Sequence, residues 1–365
     1  MTSDNIRVIV ADDSPFVRQL LVSYLNGEAG MEVVATASDG AELVQQIHKW
    51  RPDAVTLDLD MPGVNGLEAL RQIMKECPTP VLVISGTSRR AAEVTRQALG
   101  IGAVDFILKF TPNAQTDPEA LRAEIVTKVR VAARVRVLSG VRPARPSDTA
   151  TATRPFVPAN SNEVHLAPQV VIIGASTGGP LALRQLLVEL PEDFPAAVVI
   201  VQHMPPAFTS LLADQLSWHL SRPVLEAQDG QSLGAGTWLV APGEIHLLFT
   251  SASEIQLKSG PKIGGHCPSI DVAMQSAARI FGTRTHGVVL TGMGDDGSLG
   301  LLDIRAHGGT TYAQNSSSCV VSGMPDRAVD NDVVDYIGTP AEIAHLLARR
   351  VLQIEALAKQ RRVGV

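Results

Sequence analysis

Short apolar runs rich in β-branched residues alternate with segments of helical period along most of the 365-residue chain. In the first part of the chain, such runs predict strands at Arg7–Val10, Glu32–Ala35, Ala54–Leu57, Val81–Ile84 and Asp105–Leu108. Segments with apolar residues at helical spacing, such as Pro15–Asn26 and Gly66–Lys75, lie between them. Strands that alternate with helices favour a parallel sheet with helices on both faces. Residues 1–130 are therefore predicted to form a doubly wound α/β domain.

A stretch of different composition interrupts this pattern. Residues 140–163 are rich in Pro, Ala, Thr, Ser and Arg and show no apolar period. Such a segment cannot bury enough apolar surface to offset its ordering entropy, so residues 131–168 are predicted to be a linker. The alternation then resumes with strong runs that begin at Val170, Ala196 and His286. Residues 169–365 are therefore predicted to form a second doubly wound parallel-sheet domain, with a hairpin-bearing edge within residues 237–260.

The composition limits the classes of function that suit the chain. Aromatic residues make up 4% of the chain and the formal net charge is −6, which argues against stacking on bases or attracting phosphate backbones. No stretch approaches the roughly 18 uninterrupted apolar residues of a membrane helix, and the first residues lack the pattern of a signal peptide. Cys77, Cys267 and Cys319 are widely spaced and odd in number, which is typical of free thiols in a reducing compartment. We therefore expect a cytoplasmic protein that binds no nucleic acid and inserts into no membrane.

Acidic and hydroxyl side chains gather where the strands of the first domain end. The positions after the predicted strands are Asp12 and Asp13, Asp58, Ser85 and Thr87, and Lys109. Ligands of open parallel sheets bind beyond these carboxyl ends, and crowded carboxylates repel one another unless a cation lies among them. Mg²⁺ suits three such carboxylates, one of which can act as a nucleophile towards a phosphoryl group while the lysine offsets the charge. A simpler alternative is that Asp12 and Asp13 only cap the helix that begins at Pro15.

This half resembles the receiver domain of two-component response regulators over roughly residues 5–125. The motifs that carry the resemblance are VADDS, LDLDMPGVNGLEAL, VLVISG and GAVDFILK. The resemblance implies a flavodoxin-like fold and phosphorylation of Asp58 by a histidine kinase. It also implies that Asp13 and Asp58 bind Mg²⁺, with Asp12 acting through water.

The same resemblance assigns a switch to this domain. Ser85 would be the switch hydroxyl, and Phe106 would be the aromatic side chain that moves with it. The family usually has proline after its lysine, whereas Phe110 follows Lys109 here. Because cis peptide bonds are rare before residues other than proline, the resemblance does not decide whether the bond between Lys109 and Phe110 is cis.

A serine lies in a tight glycine turn at the start of the second domain. The buried-strand run Val170–Ile173 leads into GASTGGP, residues 174–180, and a helical pattern follows at once. This satisfies G-x-S-x-G, whose glycines let the backbone present the hydroxyl of Ser176, and the helix start offers amide donors for an oxyanion. Glycine-rich turns of this kind also bind phosphates. However, the spacing is not G-x-G-x-x-G and no P-loop lysine is present, so Ser176 is a candidate nucleophile.

Two further strand ends supply a candidate base and a candidate acid. His203 follows the run Ala196–Val201, which places it at the same sheet edge as the serine turn. A lone histidine is more often structural, but this one lies at the strand end that follows the serine unit. The run Gly287–Leu290 ends in TGMGDDG, where either Asp295 or Asp296 could orient the imidazole. The same glycine loop could instead be a helix entry with an aspartate cap.

The second half resembles the catalytic domain of the chemotaxis protein-glutamate methylesterase family, CheB. The matching segments are IGASTGGP, VIVQHMPPAFT, LVAPGEIHL, PSIDVAMQS, VVLTGMGDDG and AQNSSSCVVSGMP. With the receiver half, the resemblance covers nearly the whole chain except the linker. It implies a Rossmann-like esterase domain with the triad Ser176, His203 and Asp296, because the acid is the second aspartate of the family pattern T-G-M-G-x-D-G. It also suggests that Thr177 and Met293 line the site.

The resemblance further implies what the enzyme does. His203 would activate Ser176 to demethylate methylated glutamate side chains of chemoreceptors, with loss of methanol, and to deamidate receptor glutamines, with loss of ammonia. It implies no cofactor for the esterase reaction and a receiver that covers the esterase site until Asp58 is phosphorylated. The same esterase could serve a receptor array outside chemotaxis. A response regulator with a binding-only output fits poorly, because the output half lacks a basic helix-turn-helix pattern.

The remaining histidines and cysteines suggest no metal centre. His266 and Cys267 are adjacent rather than spaced for chelation, and the sequence contains no H-E-x-x-H or C-x-x-C motif. We expect these residues and Cys319 to be packing or loop positions. Asp271 is predicted to belong to a helix start, and the sequence pattern gives no partner for His246.

Overall fold

The computed structural model of the protein describes residues 5–86, 88–109, 118–133 and 169–363. The chain divides into two units, Met1–Thr149 and Ala150–Val365. Thr87, Phe110 and most of the predicted linker, residues 131–168, lie outside the described residues. Within the described residues, no helix is both long enough and apolar enough to cross a membrane.

The first unit alternates strands and helices as the apolar pattern predicts. Its strands are β1 (Ile6–Ala11), β2 (Met31–Ala37), β3 (Ala54–Asp58), β4 (Val81–Ser85) and β5 (Asp105–Leu108). Its helices are α1 (Pro15–Asn26), α2 (Gly40–Trp50), α3 (Gly66–Glu76), α4 (Arg89–Ile101) and α5 (Pro118–Ala132). The strands are parallel in the order β2-β1-β3-β4-β5, which is the flavodoxin-like order of a doubly wound sheet. The predicted fold class of this half is confirmed.

Polar side chains set where the helices of this unit begin. Oγ of Ser14 accepts a hydrogen bond from the N–H of Val17 at the start of α1. Asp39, Asn65 and Ser88 do the same for α2, α3 and α4. The simpler alternative for Asp12 and Asp13 is therefore wrong, because Ser14 caps α1, while Oδ1 of Asp12 accepts the N–H of Ser14 at 2.9 Å.

The core of the first unit lies against the central strands. Val8 and Val10 of β1 are buried together with Leu82 of β4 and Leu25 of α1. Burial of one such side chain stabilises the fold by about 1.5–3 kcal/mol. This packing fixes the sheet, so the loops after β1, β3, β4 and β5 are held at one edge.

The second unit continues the alternation with more elements. Its strands are β6 (Val170–Ala175), β7 (Ala197–Gln202), β8 (Leu225–Glu226), β9 (Trp238–Val240), β10 (His246–Ser251), β11 (Glu254–Lys258), β12 (Thr285–Val289), β13 (Thr310–Gln314) and β14 (Tyr336–Gly338). Its helices are α6 (Gly179–Leu187), α7 (Pro206–Leu220), α8 (Ile270–Phe281), α9 (Ser298–Ala306), α10 (Gly323–Asp330) and α11 (Pro340–Val363).

Among the described residues of this unit, seven strands form one parallel sheet, in the order β14-β13-β12-β6-β7-β9-β8. Alternate residues of the central strand β6 face two different cores. Val171 belongs to the core that contains Leu183 of α6 and Leu347 of α11. Ile172 belongs to the core that contains Met274 of α8. Helices on both faces of a parallel sheet confirm the predicted second doubly wound domain.

The predicted hairpin is present but is separate from the seven-stranded sheet. β10 and β11 pair antiparallel, with Phe249 opposite Ile255. The ring of Phe249 meets that of Phe281 of α8 edge to face, with centroids 5.7 Å apart. Residues Trp238–Val240, predicted to precede the hairpin at the same edge, join the parallel sheet as β9 between β7 and β8. The apolar pattern therefore predicted these strands but not their division between two sheets.

Candidate active site

The order of the second sheet brings the three predicted strand ends side by side. β6 lies between β7 and β12, so the loops that follow these three strands meet at one edge. The N–H of Ser176 donates to the carbonyl of Thr291 at 3.0 Å, and the N–H of His203 donates to the carbonyl of Ala175 at 3.0 Å. The serine turn is thus bonded to the histidine loop on one side and to the acid loop on the other.

Ser176 lies half-buried in the turn between β6 and α6. Its carbonyl accepts the N–H of Gly179 at 2.9 Å and Nε2 of Gln202 at 2.8 Å. Gly178 has a φ of +78°, and a Cβ at this position would come within 2.4 Å of Cβ of Val320. The turn therefore requires glycine for both its conformation and its close packing. Because α6 begins at Gly179, the N–H groups of its first turn lie next to the serine.

His203 and Asp296 form a direct hydrogen bond, with Nε2 of the imidazole 2.8 Å from Oδ2 of the carboxylate. Their side chains are only 9% and 4% exposed, whereas the neighbouring Asp295 is exposed. Burial opposes the charge of Asp296, but the hydrogen bond and attraction to His203, with backbone N–H groups, outweigh it and lower the pKa of Asp296. Nδ1 of His203 is buried and has no hydrogen-bond partner among the described residues. The pair can therefore accept a proton at Nδ1 and stabilise the resulting imidazolium.

The carboxylate of Asp296 sits against the start of α8. Its Oδ1 accepts hydrogen bonds from the hydroxyl of Ser269, with Oγ at 3.1 Å, and from the N–H of Asp271 at 2.9 Å. Its Oδ2 accepts the N–H of Ile270 at 2.8 Å in addition to the bond from His203. Amide groups at a helix start favour negative charge. The acid is therefore held by four donors rather than by the imidazole alone.

Two further histidines lie around the pair, and neither was predicted to have a role there. The ring of His266 stacks on that of His203, with centroids 3.9 Å apart and 4° between the planes. Burial and then the neighbouring His203 lower the pKa of His266. His246 accepts the N–H of Ser269 at Nδ1, at 3.2 Å, and its Nε2 lies 3.0 Å from the carbonyl of Pro261. The expectation for His266 was correct as to packing but missed its partner, because no motif spacing relates the two rings.

The residues expected to line the site lie in the loops around the serine. The carbonyl of Thr177 accepts Oγ1 of Thr291 at 3.0 Å. Met293 is 45% exposed in the loop that leads to the acid. Oγ1 of the buried Thr291 also accepts the N–H groups of Val320 and Val321, at 3.1 and 2.9 Å. Thr291 therefore ties three loops together, a role the sequence analysis did not identify.

In the first unit, the acidic side chains gather at the carboxyl edge of the five-stranded sheet. One carboxylate oxygen from each of Asp12, Asp13 and Asp58 lies within 4.8 Å of the others. Nζ of Lys109 donates to Oδ2 of Asp58 and lies 3.4 Å from Oδ2 of Asp12. Burial and the nearby charge of Asp58 raise the pKa of Asp12. Burial opposes the charge of Lys109, but its bond and attraction to Asp58 outweigh this and raise the pKa of Lys109.

This cluster of three aspartates fits a divalent cation. Oδ2 of Asp12 is buried and has no hydrogen-bond partner among the described residues, although Lys109 lies near it. Asp13 is exposed, so the cluster opens to solvent. Carboxylate oxygens are the ligands that Mg²⁺ prefers, and a cation would offset both the burial and the repulsion by Asp58 that raise the pKa of Asp12.

The two residues expected to form the switch are both buried. Oγ1 of Thr95 lies 2.5 Å from Oγ of Ser85 and 2.8 Å from the carbonyl of Ala91. The hydroxyl of Ser85 is thus bonded to α4 in this structure. Nζ of Lys128 donates to the carbonyl of Phe106 at 2.6 Å and lies 5.4 Å from the centre of its ring. Neither Thr95 nor Lys128 could be predicted from the sequence pattern, because their partners depend on tertiary packing.

Family models match both halves of the chain, the response regulator receiver domain over residues 8–122 and the CheB methylesterase over residues 171–347. The second half is also similar to the crystal structure of the Thermotoga maritima CheB methylesterase catalytic domain. The match is 38% identical and covers 50% of this chain and 97% of that chain, with a TM-score of 0.48.

Relatives match nearly the whole chain. The protein-glutamate methylesterase/protein-glutamine glutaminase of Pyrococcus abyssi is 39% identical over 361 residues, which cover 97% of this chain and 96% of that protein. The protein of the same name from Symbiobacterium thermophilum is 40% identical and covers 95% of this chain and 97% of that protein. The protein from Thermotoga maritima is 37% identical and covers 92% of this chain and 96% of that protein. With a receiver domain in its first half and the methylesterase domain in its second, the chain belongs to the CheB family of protein-glutamate methylesterases/protein-glutamine glutaminases.

Proposed function

We propose that this chain is a phosphorylation-regulated serine hydrolase of sensory adaptation, which demethylates methylated glutamate side chains of chemoreceptors and deamidates receptor glutamines. The observation that carries the proposal is the buried bond between His203 and Asp296, beside the turn that presents Ser176. Relatives that cover nearly the whole chain are named for both activities.

In the proposed reaction, His203 removes the proton from Oγ of Ser176 as that oxygen attacks the carbonyl carbon of the glutamate methyl ester. Asp296 stabilises the imidazolium that forms. Backbone N–H groups at the start of α6, beside Thr177, and in the loop of Met293 stabilise the oxyanion. The intermediate collapses with loss of methanol, which takes the proton from His203. Water activated by His203 then cleaves the acyl-serine and returns glutamate and free serine.

The same residues serve for deamidation. The side-chain amide of a receptor glutamine presents a carbonyl carbon to Ser176 in the same way, and ammonia leaves in place of methanol. Both reactions therefore pass through one acyl-enzyme and share its hydrolysis. We take the substrate to be the cytoplasmic helices of the receptors, with the enzyme acting in the cytoplasm.

The proposal is tested by the two products. Purified chain, incubated with receptor vesicles that carry isotopically labelled methyl esters, is expected to release labelled methanol. Unmethylated receptor with glutamines at the same positions is expected to release ammonia, with glutamine converted to glutamate in peptide mass spectra. Receptor with alanine at those positions is the control and should give neither product. Failure to release either product from the substrate-bearing receptors would contradict the proposal.

We further propose that Asp58 accepts a phosphoryl group from a histidine kinase. Asp12, Asp13 and Asp58 would hold Mg²⁺, which when bound offsets negative charge between carboxylate and phosphoryl oxygens. Lys109 is bonded to Asp58 and keeps its proton, because its pKa is raised. The protein would exist in an active and an inactive arrangement. The phosphoryl group interacts more favourably with the active arrangement, so phosphorylation shifts the equilibrium towards it and raises the esterase rate.

Asp58→Asn is expected to make methanol release insensitive to the phosphodonor acetyl phosphate, because the amide is not a nucleophile. Esterase rates are measured with and without the donor in the presence of Mg²⁺. Asp60→Asn is the matched control, because Asp60 is a neighbouring exposed aspartate, and it should respond as the wild type does. Chelation of Mg²⁺ should remove the response of the wild type. Equal activation of Asp58→Asn and wild type would show that another residue is the acceptor.

A further inference from the structure

The carboxylates of Asp271 and Asp296 each cap the helix that the other adjoins. Asp296, which precedes Gly297 at the start of α9, accepts the N–H groups of Ile270 and Asp271 at the start of α8, at 2.8 and 2.9 Å. In return, Oδ1 of Asp271 accepts the N–H groups of Gly297 and Gly300, at 2.9 and 2.7 Å. We term this set of two carboxylates and four N–H groups the reciprocal cap.

The carboxylate of Asp271 accepts hydrogen bonds from the start of the neighbouring helix α9 rather than from its own helix, α8. α8 is capped by Ser269, whose Oγ accepts the N–H of Val272 at 3.3 Å. An acid in the first turn of a helix ordinarily stabilises that helix through its dipole. Here the bonds of Oδ1 go to the segment that carries the triad acid. The effect of Asp271 is therefore exerted on the start of α9.

Glycines allow the two helices to come close enough for this exchange. A Cβ at Gly300 would lie 2.6 Å from Cβ of Met274 and 3.2 Å from Cα of Asp271. Gly297 has a φ of +100°, and a Cβ there would lie 2.8 Å from Cγ2 of Val289. The start of α9 thus lies directly against α8, and Asp271 reaches its N–H groups without an intervening side chain.

We infer that Asp271 is a positioning residue for the proposed reaction, because it fixes the turn at Gly297 and thereby holds the Asp296 carboxylate against His203. The kinetic part of this inference rests on the proposed function. The geometric part does not, because the reciprocal cap and the bond from His203 to Asp296 exist without substrate.

The pKa values of the two carboxylates of the reciprocal cap shift in opposite directions. Burial and, after it, the nearby charge of Asp296 raise the pKa of Asp271 to about 6. The pKa of Asp296 is lowered, because its bonds from His203 and the helix start outweigh its burial. As the pH falls, Asp271 takes a proton first, and the carboxylate beside His203 stays ionised.

Three substitutions separate geometry from charge. Asp271→Ala removes the acceptor of both N–H groups and is expected to lower kcat about 10- to 100-fold with KM unchanged, because displacement of a catalytic group by ~1 Å costs on this order. Asp271→Asn keeps an oxygen that can accept both bonds and should retain most of the wild-type kcat. Asp271→Glu keeps the charge but moves the oxygen by one methylene, so its kcat should fall below that of Asp271→Asn.

Asp335→Ala is the control for the loss of a carboxylate oxygen that accepts two hydrogen bonds, with Asp335 more exposed than the half-buried Asp271. Oδ2 of Asp335 also accepts two hydrogen bonds in this domain, from N–H and Oγ1 of Thr311 at 2.9 and 3.0 Å. This variant should lose stability but keep the wild-type kcat per folded molecule, with folded protein measured by circular dichroism. The inference is overturned by an Asp271→Ala kcat equal to wild type, by an equal loss in Asp335→Ala, or by a Glu variant that matches or exceeds the Asn variant. If the alanine variant does not fold, the comparison of Asn with Glu still decides.

A substrate-free measurement separates this inference from the proposed function. In protein labelled with ¹⁵N-histidine, the Nε2 proton that His203 shares with Asp296 is expected to give a low-field ¹H resonance. It should persist in Asp271→Asn and Asp335→Ala and be lost or shifted upfield in Asp271→Ala. If the wild type releases neither methanol nor ammonia, the proposed function fails and the resonance still tests Asp271. An unchanged resonance in Asp271→Ala overturns the inference while the proposed function stands.

Discussion

Ser176→Ala is expected to abolish methanol release from methylated receptor, by about 10⁶-fold or to the detection limit, on the scale seen when a serine hydrolase loses its nucleophile. In the proposed reaction its hydroxyl oxygen forms the acyl bond, and nothing in alanine replaces it. The turn should survive, because its bonds run through the backbone of Ser176: the N–H to Thr291, and the carbonyl to Gly179 and Gln202. The loss of activity should therefore occur in a folded protein.

The measurement is methanol release with and without acetyl phosphate, with Tm recorded in parallel. Ser317→Ala is the matched control, since Ser317 is an exposed serine of the same domain, and it should keep the wild-type rate and Tm. Release at the wild-type rate from Ser176→Ala would show that Ser176 is not the nucleophile. Loss of activity with an unfolded domain would be distinguished by the Tm.

Asp296→Asn is expected to lower kcat by about 10⁴-fold, as loss of the orienting acid does in a serine triad. The two carboxylate oxygens accept hydrogen bonds from Ser269, Ile270, Asp271 and His203. Asparagine offers one oxygen, so two of these donors face an NH₂ group whichever way the amide is turned. Each buried donor left unsatisfied costs about 1–3 kcal/mol of folding free energy. The variant should therefore lose both activity and stability.

Asp295→Asn is the control for this substitution, since it makes the same chemical change at the adjacent exposed position. It should keep the wild-type kcat and the wild-type free energy of unfolding. The kcat comes from methanol release, and the free energy of unfolding comes from urea titration followed by circular dichroism. Comparable losses in the two variants would contradict the assignment of the acid to Asp296.

Much of the fold could be predicted because the strands of a parallel sheet are buried on both faces and read as apolar runs. β5 was predicted at Asp105–Leu108 and lies there. The run predicted at Ala196–Val201 differs by one residue from β7, which spans Ala197–Gln202. Because parallel strands end at one edge, the polar residues after them could be grouped into two candidate sites without a structure.

The apolar pattern did not predict β13, because polar residues are buried within this strand. Thr311 bonds to Asp335, and Oε1 of Gln314 accepts the N–H of Thr291 at 2.9 Å. These partners satisfy the side chains of Thr311 and Gln314, so burial of those two polar groups is not penalised. Because the partners are distant in the chain, the local pattern does not indicate a strand here.

The surroundings of the proposed triad could not be predicted for a related reason. The stack of His266 on His203 and the seat of Asp296 on α8 join segments far apart in the chain. Asp271 could be assigned to a helix start from its neighbours, but the helix that its carboxylate caps depends on how α8 and α9 pack. Local patterns set the positions of the chemical groups along the chain, and tertiary packing sets their partners.

Thr95 lies within hydrogen-bond distance of both Ser85 Oγ and the carbonyl of Ala91, yet its hydroxyl carries one proton to share between them. If the Ser85 hydroxyl turns towards a phosphoryl group on Asp58, Thr95 loses one of these partners and donates its hydroxyl proton only to the carbonyl of Ala91, in its own helix. Phosphorylation would then change the hydrogen bonding inside the first turns of α4, even with the backbone in its present position.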